Sequence, residues 1–234
     1  MICIVIPTYN EKENIIKLVN FINKLRLNSK IIIVDDSKEK ISRLNNIKNV
    51  KYLFRGKKLG RGSAVLYGFK KFLKNKNNKM FIEMDADFSH DPKEIKRNLL
   101  YFNKHKLNFL ISSRYLEKSK IKNWPISRKI LSKLANLLAR FLLGVPITDY
   151  TNGFRIYDRR AVTHILKKCK SSTQGFIILS EIIIELYNSK FKIGEIDSIF
   201  INRIRGLSKA TFFEILKSLI GIFQVFFRKR LFKF

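Results

Sequence analysis

Three short apolar runs constrain this chain more than any other feature: ICIVI at 2–6, IIIV at 31–34 and FIEM at 81–84. Each is halted by proline or by carboxylates. Runs this short and rich in branched side chains read as strands buried on both faces. Between the first two, Ile15, Leu18, Val19, Ile22 and Leu25 recur at helical spacing, which predicts an amphipathic helix over 11–27. Residues 52–54 and 108–112 supply further strands, and a turn carrying Gly56, Gly60 and Gly62 leads into a helix over 63–73. Asp91 and Pro92 open the next helix, because proline is well placed in a first turn. Alternating strands and helices predict an α/β domain with a mainly parallel sheet covered by helices on both faces. The 234 residues suit one such domain.

In sheets of this kind ligands bind beyond the carboxyl ends of the strands. Three polar clusters fall there: the stretch from Pro7 through Tyr9 to Glu11, the pair Asp35 and Asp36, and the triplet Asp85, Ala86, Asp87. They are expected to line one crevice. Two carboxylates one residue apart on a strand-end turn present oxygens to a hard divalent cation, Mg²⁺ or Mn²⁺. Such a cation stabilises charge on a departing diphosphate. Arg114, Arg203, Arg205 and Lys209 are basic candidates for sharing that work.

Lys and Arg number 48 against 18 Asp and Glu, a net charge of +30. The excess favours an anionic partner, although a lysine-rich composition produces the same number, so charge alone selects none. No nucleic-acid-binding motif accompanies it, and nucleic acid is not expected as a partner. Cys3 and Cys169 make no disulfide framework or metal spacing, which fits a reducing setting. Neither a leader peptide nor a conventional membrane span is expected. Two strongly apolar helices are, over 128–143 and 210–227. The first gathers Lys129, Ser132, Lys133, Asn136 and Arg140 on one stripe, and the second is followed by Arg228, Lys229 and Arg230. Wide apolar faces with basic flanks suit a lipid interface, and they suit docking on protein as well.

The ordered set PTYNE (7–11), VDDS (34–37), LGRGSAVLYGF (59–69), MDADFSHDP (84–92) and SSRY (112–115) resembles family 2 glycosyltransferases of the GT-A fold. With DYTNGFRIY (149–157) and RIRGLSK (203–209), the chain is similar to the dolichol-phosphate mannose synthase branch. The resemblance implies a catalytic domain over 1–206 and a membrane-interface helix over 207–234. It implies that Pro7, Tyr9, Glu11, Val34 and Asp36 hold the donor nucleoside and that Asp85 and Ala86 add donor contacts. Asp87 matches the metal ligand, with Ser89 in reach of the metal. Arg114, Arg203 and Lys209 match residues on the donor's phosphates and sugar, and Arg128 lies near the acceptor phosphate. Asp149, Thr151, Asn152, Gly153, Phe154 and Arg155 match a loop behind the acceptor site, where a structural role is equally open. Glu181 is a candidate on the acceptor side, and His90 reads as structural.

The expected reaction moves mannose from GDP-mannose to polyprenyl or dolichyl phosphate with inversion, at the cytoplasmic face of the membrane. A separate membrane partner is possible. The alternative donor is UDP-glucose or another nucleotide sugar, and the alternative class is a non-catalytic, membrane-associated partner protein.

Overall fold

In the computed structural model, residues 1–169 and 177–202 are described. The chain runs β1 (Ile2–Thr8), α1 (Lys12–Lys24), β2 (Ser29–Asp35), β3 (Val50–Phe54), α2 (Arg61–Leu73), β4 (Met80–Glu83) and α3 (Glu94–Lys104). There follow β5 (Phe109–Ser113), β6 (Lys120–Lys122), α4 (Ile126–Leu143), β7 (Arg155–Asp158), α5 (Arg159–Lys168), α6 (Ile177–Asn188), β8 (Ile193–Asp197) and β9 (Ile199–Ile201). Seven strands form one sheet in the order β3-β2-β1-β4-β7-β5-β8, and β6 pairs with β9 beside it. All pairings in the large sheet are parallel except those of β7, which runs against both β4 and β5. The mainly parallel α/β sheet expected from the sequence is therefore the fold.

Alternation along each strand splits the core in two. On β1, Cys3 and Val5 face one way, packing with Val65, Phe69 and Ile182 of α2 and α6. Ile4 and Ile6 face the other, against Ile15, Leu18 and Ile22 of α1 and Ile95 and Leu99 of α3. Burying one such side chain contributes about 1.5–3 kcal/mol, so every residue of a central strand works for one core or the other. Helix α2 lies close because Gly68 lacks a Cβ: one placed there would sit 2.6 Å from Val5 Cγ1. An alanine at 68 would overpack that contact, at a cost of about 1–3 kcal/mol.

Helix α4 differs from the rest. Ser132 and Asn136 turn inward, where Ser132 meets the Tyr115 hydroxyl at 2.6 Å and Asn136 Oδ1 accepts the Tyr150 N–H at 2.7 Å. Ile126, Ile130, Leu134, Leu137 and Phe141 stand exposed along its outer face, Phe141 by 83%. The polar stripe read from the sequence is thus divided, and part of it serves the interior. The second apolar helix, over 210–227, and the whole segment 207–234 lie outside the described residues. No helix among the described residues is long and apolar enough to cross a membrane.

Candidate active site

Parallel register brings the first three clusters to one edge. Thr8 pairs with Asp35, and the Asp36 N–H donates to the Thr8 carbonyl at 3.0 Å. Met84, just after β4, donates to the Val5 carbonyl. The ends of β1, β2 and β4 are therefore neighbours, and Pro7, Val34, Asp36, Asp85, Ala86 and Asp87 lie within one strip. Asn10 adopts a left-handed backbone (φ 59°) that turns the chain into α1, with its N–H on Ser37 Oγ at 2.8 Å. Glu11 accepts from Asn14 Nδ2 at 2.7 Å, and Lys58 Nζ sits 5.3 Å from the centre of the Tyr9 ring.

The two aspartates at the end of β2 have separate duties. Asp35, fully buried, accepts from the Ser37 N–H and from the Tyr52 hydroxyl at 2.6 Å. Asp36 accepts from Arg55 Nε at 2.5 Å and from the N–H groups of Leu59 and Gly60 at 2.8 and 3.0 Å. It thereby shapes the glycine-containing turn that leads into α2. A carboxylate offers about four acceptor positions, and these bonds use three.

The turn after β4 is tight. Phe88 has φ 60°, a strained value for a bulky side chain, and the Ser89 N–H donates to Asp87 Oδ1 at 3.1 Å. His90, fully buried, accepts the Asp85 N–H on Nδ1 at 3.3 Å and lies between Phe154 and Phe200. Burial pushes its pKa below the ordinary value, against the pull of Asp85 and Asp87. A neutral ring accepting at Nδ1 braces the turn, the structural role read from the sequence.

The Asp85 side chain meets Arg61 from the first turn of α2: Nε donates to Asp85 Oδ1 at 2.8 Å, and Nη2 donates to the Gly153 carbonyl at 3.1 Å. A Cβ on Gly153 would stand 2.1 Å from Nη2, so only glycine admits the guanidinium. Beneath lies Glu83, fully buried, 3.6 Å from Arg61 and 3.8 Å from Arg155. Among the described residues, neither Glu83 oxygen nor Arg61 Nη1 has a hydrogen-bond partner. Burial raises the Glu83 pKa although Arg61 and Arg155 oppose it. Sequence reading missed Arg61 and Glu83. The available clue was a carboxylate inside a strand buried on both faces, which requires a nearby cation.

Arg114 faces this group across the crevice, bound edge-on to Asp149 at 2.7 and 2.8 Å, with Nη2 also on Thr151 Oγ1. Burial works against the Asp149 charge, yet Arg114 holds that carboxyl below its usual range. Asp149 also takes the N–H groups of Arg114, Thr151 and Asn152. Asn152 Nδ2 donates to the Ser112 carbonyl, and Phe154 is fully buried. Arg155, fully buried, donates to the carbonyls of Asn152, Leu179 and Tyr150. The loop 148–155 is a braced wall.

Beyond it, Arg128 in the first turn of α4 stacks on Trp124, 4.0 Å from the ring centre, and Arg114 lies 5.5 Å from the same ring. Glu181 is buried on α6. Arg203, Arg205 and Lys209 lie outside the described residues.

Among the described residues, no three His, Cys, Asp or Glu side chains converge to enclose a metal ion. The hard oxygen donors of the Asp85–Asp87 turn fit a cation that takes its remaining ligands from a diphosphate and water. Asp87, oriented by the Ser89 N–H, would hold it, and Ser89 is adjacent.

The model of the family described as glycosyl transferase family 2 matches residues 3–166. A polyprenol monophosphomannose synthase of Mycolicibacterium smegmatis is 33% identical over 97% of this chain and 88% of its own. A dolichol-phosphate mannosyltransferase of Pyrococcus furiosus is 36% identical over 95% of this chain, which spans 64% of that protein's length. Among solved structures, glucosyl-3-phosphoglycerate synthase of Mycobacterium tuberculosis, determined with Mn²⁺ and UDP, superposes with a TM-score of 0.68 at 13% identity. That match covers 96% of this chain and 79% of the other. Mannosyl-3-phosphoglycerate synthase of Rubrobacter xylanophilus gives 0.61 at 14% identity, over 98% and 73%. With its motifs ordered along the sheet edge and the family model spanning most of the sheet, the chain belongs to the family 2 glycosyltransferases and has the GT-A fold.

Proposed function

We propose that this enzyme transfers mannose from GDP-mannose to a polyprenyl phosphate of the dolichyl type, with inversion, at the cytoplasmic face of a membrane. The observation that carries the reading is the build of α4: an arginine in its first turn beside the crevice, then an apolar stripe on its outer face. An acceptor with an anionic head and an isoprenoid tail matches that order. The two relatives, named for mannose transfer to such lipids, support it. The basic surface suits an anionic leaflet.

A lipid phosphate is ionised at neutral pH and needs no general base. One of its oxygens bonds to the anomeric carbon as the bond to the donor's diphosphate breaks, and the electron pair leaves with GDP. A divalent cation, when bound at Asp87, would supply positive charge to that diphosphate. Asp36 and Glu11 would contact the nucleoside, Arg128 the acceptor phosphate, and Arg203 and Lys209 the donor. Arg114 acts in this reading chiefly by fixing Asp149 and the crevice wall.

The test is a radiolabel transfer assay with purified full-length protein, dolichyl phosphate, Mn²⁺ or Mg²⁺ and a panel of GDP- and UDP-sugars. Lipid-extractable label from GDP-mannose alone, β-linked, is the expected result. Label from a UDP-sugar would move the donor assignment, and a retained configuration would sink the single displacement.

A further inference from the structure

The sheet edge opposite the crevice has a recess of its own. β2 and β3 run parallel, with Ile31 beside Val50 and Ile32 beside Lys51, so both begin at the end away from Asp35 and Asp36. Helix α2 finishes at the same end. Between these elements lies a cleft of about 640 Å³, a size that suits a small molecule. Six of its thirteen lining residues are lysines, namely Lys30, Lys48, Lys51, Lys71, Lys74 and Lys76, and none is aspartate or glutamate. Lys and Arg make up 48 of the chain's 234 residues, so composition accounts for less than half of that density. Among the described residues none of the six lysines is in an ion pair.

Both walls are braced. The Arg159 guanidinium donates to the carbonyls of Leu73, Asn75 and Asn78 at 2.7, 2.9 and 3.0 Å, which fixes the segment carrying Lys74 and Lys76. Across the cleft, the Asn49 carbonyl accepts the Ile31 N–H at 2.9 Å, and Asn49 Nδ2 donates to Asn23 Oδ1 at 2.6 Å. Those bonds fix the segment between Lys48 and Lys51. The lining also holds a buried acceptor: Asn78, 1% exposed, donates from Nδ2 to the Phe72 carbonyl at 2.7 Å, while its Oδ1 has no partner among the described residues.

From this geometry we infer that the cleft is a second binding site, for a small phosphorylated polyol carrying two or more phosphate groups. Ammonium groups held together on braced walls repel one another and raise the positive potential between them, which phosphate oxygens relieve. The polyol's hydroxyls are donors of the kind that Asn78 Oδ1 lacks. The cleft and the crevice stand at opposite ends of β2, whose seven residues span roughly 20 Å. The site is therefore separate from that of the transfer reaction, and a failure of the transfer assay leaves it standing.

The experiment titrates the full chain with a soluble inositol trisphosphate by calorimetry, at fixed ionic strength. EDTA is present, so that no cation draws the phosphates to the Asp87 turn. Lys48→Gln, Lys51→Gln and Lys74→Gln together remove three exposed charges from the cleft. They are expected to weaken binding about tenfold, the scale of three exposed ion pairs, without moving the melting temperature or the basal transfer rate. The control is Lys96→Gln with Lys104→Gln and Lys106→Gln, which lowers the net charge equally from exposed positions elsewhere. It is expected to change binding by less than about twofold. Equal weakening in the two variants would reduce the effect to net charge and overturn the inference, as would a wild-type chain without saturable binding.

Vesicles carrying phosphatidylinositol bisphosphate then identify the source of the anion. Sedimentation that falls in the cleft variant and not in the control assigns it to a lipid head group. Unchanged sedimentation beside weakened calorimetric binding assigns it to a soluble ester, and either result keeps the cleft as the site.

Discussion

The two sides of the crevice are built from the same pairing, arginine with aspartate, and bonded in opposite styles. On the 148–155 side Arg114 and Asp149 meet as two parallel bonds, and three backbone N–H groups fill the remaining acceptor sites. On the Asp85 side the arginine divides itself between a carboxylate, a carbonyl and a buried acid that makes no hydrogen bond among the described residues. A saturated pair contributes rigidity and has little left to offer a ligand. An unsaturated one leaves buried polar atoms without hydrogen bonds, which costs stability and is the kind of arrangement found at functional sites.

That contrast breaks first at Asp87. Asp87→Ala is expected to lower the transfer rate by about a thousandfold or more, the scale of losing one preorganised charge-stabilising group, with little change in melting temperature. Survival of activity at saturating metal would remove Asp87 from the cation site and blur the difference between the walls.

The opposite signature is expected at Asp149. Asp149→Asn strands a buried arginine, which costs about 3–5 kcal/mol of stability in such cases, while the folded fraction keeps most of its activity. Chemical denaturation alongside initial rates separates the two effects. The acid limb sharpens the point. The folded pKa of Asp149 lies below its ordinary value of 3.8, so its stabilisation is complete above that value and is lost as pH falls from there through the folded pKa. The Asn variant should therefore show a flatter stability profile below pH 3.8. An unaltered acid limb would assign the sensitivity to other carboxylates.

A smaller effect on stability, confined to the outside, is expected from serine at Ile130, Leu137 and Phe141 together. These side chains are 54, 61 and 83% exposed, so the melt should hardly move, while sedimentation with anionic vesicles should fall. Unchanged vesicle binding would place the lipid contact elsewhere in the chain.

Much of this was readable from residue order. The runs ending at Pro7, Asp35 and Asp85 placed β1, β2 and β4 and their common edge, because burial on both faces leaves few other ways to use such sequences. Strand β7 was not readable as a sheet member of reversed direction: its four residues, Arg155 to Asp158, begin and end with charge and show no apolar run. Arg114 was read, from its place after a strand and from the resemblance, as a contact to the donor's phosphates, whereas its pairing with Asp149 was not legible, because the counter-ion lies 35 positions away and only the fold brings them together. The periodicity of α4 gave its two faces but not which one turns inward. That is decided by Tyr115 and Tyr150, which offer partners to Ser132 and Asn136.

Because β7 runs backwards, its first residue lies at the same edge as the last residues of its neighbours, with Arg155 opposite Glu83. The segment entering β7 therefore joins the crevice, and α4 is tied to that crevice both before and after its own length. A helix tethered this way has no loose end. The Trp124–Arg128 corner stands at one end of it and the Asp149 wall follows the other, so the helix bridges two parts of one crevice as a beam spans two supports.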